Sequence, residues 1–260
     1  MSHNHKLMSS DKGSEEGSPV FIEKETIKRL LNDIKDLVTS PLDSEGIYYR
    51  HSETDMLTGY AMIVGPADSL YFGGYFFFKF IFPTNYPHSP PVVQYLTNDG
   101  STRFHPNLYV NKKVCLSILN TWRGDTWTGC QSIRSVLMTI LSILDSEPLL
   151  HEPGVTIQHP HYNSYNKIVT YKTLRIAICE LIISFQKYIG DIEYNDYFYQ
   201  VMVERFIANK DKIYEVIMKN KETTPEDAKY TVDMYSMRNV TLSYVFLEER
   251  FKQVVELTCK

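Results

Sequence analysis

Between residues 46 and 97 the chain carries four apolar runs: GIYYRHSE, GYAMIVGP, YFFFKFIF and PVVQYLT. Aromatic and β-branched residues dominate them, the types that fit a pleated, half-buried surface. Gly59, Gly65-Pro66 and Gly73-Gly74 punctuate the first three, and such residues mark turns between strands. The short gaps favour an antiparallel meander over parallel strands, which need long crossovers. A proline-rich bend, YPHSPP at residues 86–91, separates the third run from the fourth.

Helical patterns flank these strands. Ile27, Leu30, Leu31, Ile34, Leu37 and Val38 fall at helical spacing, with Lys24, Lys28, Arg29 and Lys35 mostly off the stripe and Pro41 just beyond its end. A second stripe runs through Ile133, Val136, Leu137, Ile140, Leu141 and Leu144, and Thr128-x-x-Gln131 reads as its capping box. The loop SEPLLHEPGV then breaks the chain at Pro148, Pro153 and Gly154. From about His159 onward the pattern is helical. The stretch from Asn163 to about Ile189 is long enough for two helices, and Phe198, Val201, Met202 and Phe206 suggest a further stripe. The expected class is therefore α+β, with an antiparallel four-stranded meander, an N-terminal helix and C-terminal helices, plus a helical C-terminal extension. We divide the chain into a flexible polar tail (1–19), a core domain (20–188) and the extension (189–260), the last with no motif of its own beyond packing. His3 and His5 in the tail read as solvated residues rather than metal ligands.

Composition narrows the function. A formal charge of -4 argues against a general binder of nucleic acid, and no run reaches the eighteen apolar residues of a membrane span. The four cysteines, Cys115, Cys130, Cys179 and Cys259, form no Cys-x-x-Cys half-site, so neither structural zinc nor any other metal is expected. No signal-peptide pattern precedes them, so free thiols in an intracellular protein, cytoplasmic or nuclear, are the expectation. There is no Gly-rich phosphate loop, no G-x-S-x-G elbow and no His-Glu-x-x-His.

What remains is HPNLYVNKKVCLSIL, residues 105–119. Read alone, it favours a buried cysteine after a structural turn, because free cysteine is among the most buried residue types and His-Pro-Asn is good turn chemistry. A Cys115–His105 dyad is the tempting alternative, but Pro106 fixes the backbone between His105 and Asn107 and sets their side chains in different directions.

The whole set of features reverses that preference. His105-Pro106-Asn107, then Cys115-Leu116-Ser117-Ile118-Leu119, the YPHSPP bend and Gly73-Gly74 before an aromatic strand resemble the ubiquitin-conjugating enzyme family over roughly residues 20–188. The loop ILNTWRGDTWTGCQS, with Trp122 and Trp127, and the segments HEPG (151–154) and NKIVTYKTLRIAIC (166–179) are similar to its Z-type members, which carry a C-terminal helical extension.

The resemblance implies that Cys115 accepts ubiquitin or a ubiquitin-like modifier from an activating enzyme as a thioester. It then passes the modifier to a substrate lysine, with a ligase assisting. An ordinary thiol is only a few per cent ionised at neutral pH. That suffices for exchange between thioesters and would serve amide hydrolysis poorly, so a cysteine hydrolase fits less well. Asn107 is placed to donate to a developing oxyanion or to hold the loop, and His105 and Pro106 to shape the turn. Glu152 matches the acidic residue that receives the incoming amine, with Glu147 as its competitor. Cys130 reads as a cap-region residue rather than a second nucleophile. Partner surfaces carried over are Lys24, Lys28 and Arg29 for the activating enzyme, and Pro87, His88 and Trp127 for a ligase. His88 and Thr128-Gly129-Cys130 depart from the family's usual ligase-binding residues. No cofactor, nucleic acid or membrane is implied, and a monomer is expected. The alternative is a catalytically silent member acting as a binding module.

Overall fold

The computed structural model describes residues 21–190 and 192–259. The proposed tail at 1–19, with His3 and His5, lies outside them. Helix α1 (Lys24–Thr39) leads into the strands β1 (Ile47–His51), β2 (Thr58–Val64), β3 (Tyr75–Ile81) and β4 (Val92–Tyr95). They form one antiparallel sheet in the order β1-β2-β3-β4, with Ile47 opposite Ile63, Phe77 opposite Met62 and Phe78 opposite Tyr95. The expected meander is therefore present.

Strand β3 explains why YFFFKFIF is apolar almost without interruption. Successive side chains in a strand point to opposite faces, and here both faces are covered. Phe76 packs on Tyr71 and Phe104, whereas Phe77 packs on Phe185 and Phe198 from the C-terminal helices. The Tyr75 hydroxyl donates to the Met202 carbonyl at 2.8 Å. The C-terminal third thus closes the second face of the sheet.

Helix α1 buries a narrower and more polar stripe than its spacing suggests. Thr26, Leu30, Asp33 and Leu37 are buried, while Leu31 and Val38 are 52% and 73% exposed. The polar members are satisfied across the fold. Thr26 donates to the carbonyls of Thr84 and Tyr86, and Asp33 accepts from Arg29, the Tyr86 hydroxyl and the Ile133 N–H. Buried polar groups cost free energy unless paired in this way.

Helix α2 (Ile133–Ile143) begins four residues later than the Thr128 signal indicates. Its cap is Ser132, whose side chain accepts from the Ser135 N–H while the Ser135 hydroxyl answers the Ser132 N–H. The Thr128–Gln131 pair does hydrogen-bond, but as a turn ahead of the helix.

Helix α3 (Tyr162–Lys172) continues through wide π-helical turns, Thr173–Glu180, into the short α4 (Leu181–Ile183) and then α5 (Phe185–Ile189). The last third holds α6 (Asn195–Thr223) and α7 (Tyr244–Thr258), which pack through Phe206, Tyr214 and Phe251. Between them lies an antiparallel hairpin, β5 (Ala228–Val232) and β6 (Met237–Leu242). The extension is therefore helical with a hairpin set into it, because β5 and β6 lie against α3, and Val232, Met237 and Leu242 are buried, rather than continuing a helical stripe. The hairpin runs along α3, where Lys167 donates to the Tyr230 hydroxyl.

Candidate active site

The eight-residue spacing from Asn107 to Cys115 closes a tight turn. Lys112 takes a left-handed φ of 73°, its N–H donates to the Tyr109 carbonyl, and Tyr109 N–H donates to Lys113. The chain doubles back, Leu108 bridges Val114, and Cys115 arrives opposite Asn107. The Cys115 N–H then donates to the Asn107 carbonyl at 2.9 Å, and the Asn107 side-chain amide donates to the Cys115 carbonyl at 2.5 Å. Nucleophile candidate and amide candidate are locked together by a reciprocal pair.

His105 is wholly buried. Its Nδ1 accepts from the Asn107 N–H at 3.0 Å, which leaves the proton on Nε2. Burial, with His151 and Arg103 nearby, holds its pKa well below the ordinary histidine value, so the ring stays neutral. Among the described residues no side-chain hydrogen bond reaches the Cys115 sulfur. His105 therefore braces the turn, with its Nδ1 engaged by the Asn107 N–H. The Cys115 residue is 2% exposed.

Beyond the cysteine the chain folds over itself. The Thr121 hydroxyl accepts from the Leu116 N–H and lies 3.0 Å from the Val114 carbonyl. Asn120, with a left-handed φ of 56°, accepts from the Trp127 N–H. Trp127 is buried, and its indole donates to the Pro87 carbonyl at 2.7 Å. Pro87 is buried as well. Trp127 and Pro87 therefore shape the bend from inside, and of the ligase-surface set His88 is the exposed member. Trp122, 41% exposed, lies at the surface of the same loop. Arg29 is likewise engaged within the fold, bonded to Asp33 and to the Gly129 and Gln131 carbonyls, whereas Lys24 and Lys28 face solvent. Cys130 lies exposed between those two carbonyls.

The HEPG loop meets this centre from the other side. The His151 ring stands edge-on to His105 with centroids 4.9 Å apart, and Pro153 lines a pocket of about 630 Å³ with Asn120, Thr121, Trp122 and Arg123. Glu152 lies between His151 and Pro153 in sequence. Its carboxylate accepts from the Tyr235 hydroxyl at 2.6 Å. Glu147 is at the far end of the short turn Pro148–His151 and accepts from Tyr162.

Two contributors escape sequence reasoning. Arg103 donates to the carbonyls of His105 (3.1 Å) and Pro106 (2.5 Å), with its guanidinium against the rings of Tyr109 and Tyr235. Tyr235 belongs to the turn between β5 and β6. Neither carries a local signal, since Arg103 acts on backbone carbonyls and Tyr235 arrives from 83 residues beyond Glu152. No cluster of His, Cys, Asp or Glu among the described residues is arranged to hold a metal ion.

Comparison with known proteins agrees with this geometry. The family model described as ubiquitin-conjugating enzyme matches residues 29–173, more than half of the chain. The chain is 38% identical over 185 residues to "Ubiquitin-conjugating enzyme E2 Z" of Homo sapiens, covering 70% of this chain and 50% of that protein. It is 36% identical over 201 residues to the protein of the same name from Danio rerio, covering 76% and 58%. It is 44% identical over 135 residues, 49% of this chain and 3% of the other, to "Dual E2 ubiquitin-conjugating enzyme/E3 ubiquitin-protein ligase BIRC6" of Homo sapiens. The chain thus spans about half the length of the E2 Z proteins it matches. The matched stretch carries both the meander and the reciprocally bonded Asn107–Cys115 turn, and so the chain belongs to the ubiquitin-conjugating enzyme family, as a Z-type member.

Proposed function

We propose that this chain is a ubiquitin-conjugating enzyme that carries ubiquitin, or a ubiquitin-like modifier, as a thioester on Cys115 and transfers it to a lysine amine. The observation that supports this most directly is the Cys115–Asn107 lock beside a neutral, turn-bound His105. It presents a thiol and an amide donor together without a base on the sulfur. Such a site suits acyl exchange between leaving groups of similar basicity and lacks the base a cysteine hydrolase needs.

In the first step the Cys115 thiolate attacks the modifier's carbonyl on the activating enzyme. A new C–S bond forms and the activating enzyme's thiolate departs. In the second a neutral lysine amine attacks the Cys115 thioester, the C–N bond forms, and the Cys115 thiolate leaves. The amine's proton passes to the Glu152 carboxylate or to water. The Asn107 amide carries a second N–H, which can turn toward the oxyanion as it develops. Lys24 and Lys28 on α1 offer positive charge to the activating enzyme, and His88 offers the exposed point of the ligase bend. The catalytic chemistry lies in residues 20–188, and residues 189–260 form the extension.

The test is charging in the presence of activating enzyme, ATP and ubiquitin, read on a non-reducing gel. A thiol-sensitive adduct is expected that Cys115→Ala abolishes and that Cys115→Ser converts into a thiol-resistant ester. Failure to form any adduct with any activating enzyme or modifier would overturn this reading.

A further inference from the structure

We propose that Tyr235 is a positioning residue for the transfer step, holding the carboxylate of Glu152, the sequence neighbour of the His151 whose ring meets His105, so that the C-terminal extension contributes to the active site. The inference rests on the reading just given, that Cys115 carries the thioester and Glu152 meets the incoming amine.

Four contacts fix the turn between β5 and β6 against Glu152, Tyr165 and Arg103, and Arg103 in turn bonds the catalytic turn. The Tyr235 hydroxyl donates to Glu152 Oε2 at 2.6 Å. Its ring lies 5.6 Å from that of Tyr165, whose own hydroxyl donates to the Arg103 carbonyl at 2.9 Å. The Arg103 guanidinium is 5.1 Å from the Tyr235 ring and grips the His105 and Pro106 carbonyls. The Met237 sulfur accepts from the Arg103 N–H at 3.4 Å. Ser236, at φ 57°, gives the chain the reversal that places Tyr235 and Met237 on the same support.

Glu152 needs such a partner. It sits next to exposed Pro153 and Gly154, and a glutamate there loses much rotamer freedom when fixed for reaction. A hydroxyl that fixes it beforehand removes that cost from the transfer step. Tyr235 is also the right kind of donor. Burial and the adjacent carboxylate push its pKa well above the ordinary phenol value, so it remains a neutral O–H and leaves the negative charge of Glu152 intact. A carboxylate offers about four lone-pair sites and Tyr235 takes one, so the others remain for a lysine ammonium.

The experiment uses the full chain. Cys115 is charged with ubiquitin, the activating enzyme is quenched, and single-turnover discharge is followed onto Nα-acetyl-lysine and, separately, onto dithiothreitol. Tyr235→Phe keeps the ring and removes the hydroxyl. It is expected to charge normally and to discharge onto dithiothreitol normally, while discharge onto the lysine slows about tenfold. The deficit should narrow as pH rises toward the lysine's own pKa of ~10.4, where the amine needs less help to become neutral. Glu152→Gln should show the same selective defect, and the double variant should be no slower than either single one, as for two groups acting as one unit. Normal or faster lysine discharge by Tyr235→Phe overturns the proposal, as does slowing toward both acceptors, which would mean general loosening. If the unaltered protein never charges, the conjugating reading itself falls and this inference with it. That outcome is distinct from a charged protein whose Tyr235→Phe form discharges normally.

Discussion

Asn107 and Cys115 hold each other by two hydrogen bonds, backbone to backbone at 2.9 Å and side-chain amide to the Cys115 carbonyl at 2.5 Å. The amide that is the oxyanion candidate is thus also the clamp that sets the nucleophile's backbone. Asn107→Ala leaves a buried carbonyl without its donor, which costs about 1–3 kcal/mol of stability. If the amide also meets the oxyanion, transfer to lysine falls by about 10²–10³-fold. Thermal melting and single-turnover discharge measure the two effects separately. A stability loss with unchanged transfer would confine Asn107 to the clamp.

Acid should weaken the fold in two stages. His105 is held neutral, with a pKa well below 6.5 in the folded protein. Below about pH 6.5 the unfolded chain binds a proton that the folded one refuses, so stability falls as pH drops, by up to ~1.4 kcal/mol per pH unit for one such group. His51, also lowered by burial, adds to the same stage. The second stage belongs to Asp99. Although burial opposes its ionisation, Lys172 at 2.6 Å and the N–H groups of Ser101 and Thr102 hold its carboxyl at about 2. Its contribution is complete above about pH 4 and is lost as pH falls through 2. Urea unfolding free energies at stepped pH measure both arms. His105→Asn keeps an acceptor for the Asn107 N–H and should make the first arm shallower, leaving the His51 share, without changing the second.

The strands were legible because turn residues bracket them, and Asn107 with Cys115 was legible only through the resemblance of the whole motif set, since HPNLYVNKKVCLSIL read alone favours a buried cysteine after a turn. What was not legible depends on distant partners. Trp127 reads as a surface aromatic until Pro87 is seen to accept its N–H. Arg29 reads as a docking charge until Asp33, Gly129 and Gln131 surround it. The hairpin at 228–242 escaped because its alternation is short and follows a helical stripe at 198–206, and the chain's local pattern does not show that α3 will cover one face of it. Tyr235 at Glu152 follows only from that docking.

The extension should not be removable. Phe198, Met202 and Phe206 are fully buried; Phe198 packs on Phe77, the Met202 carbonyl accepts from Tyr75, and Phe206 packs on Phe251. Each such side chain contributes about 1.5–3 kcal/mol on burial, so three approach the whole stability of a typical domain at about 5–15 kcal/mol. The ion pair of Arg250 with Glu180, at 3.0 and 2.9 Å, further ties α7 to the π-helical turns. A chain ending at residue 189 is expected to aggregate or to melt far below the full chain. Light scattering and circular dichroism check this, and a soluble, cooperatively melting fragment would show that the first 189 residues fold alone.

The four thiols should report their burial in a timed pulse of N-ethylmaleimide read by peptide mass spectrometry. Cys130 and Cys259 are exposed and should react first. Cys179 is fully buried among apolar neighbours, and burial pushes its thiol well above the ordinary range. Since the thiolate is the reacting species, it should stay unmodified until the protein unfolds. Cys115 is the informative case. At 2% exposure it is nearly as enclosed as Cys179, yet it lies outside the apolar core cluster that holds Cys179, in a loop that runs on to exposed Trp122. Opening of loops takes place far more readily than global unfolding. Cys115 should therefore react more slowly than Cys130 and Cys259 but in native buffer, at a rate that urea below the unfolding transition barely changes. Labelling of Cys115 only in parallel with Cys179 would mean that its thiol is released by unfolding alone, an arrangement incompatible with a nucleophile that must meet another protein's thioester.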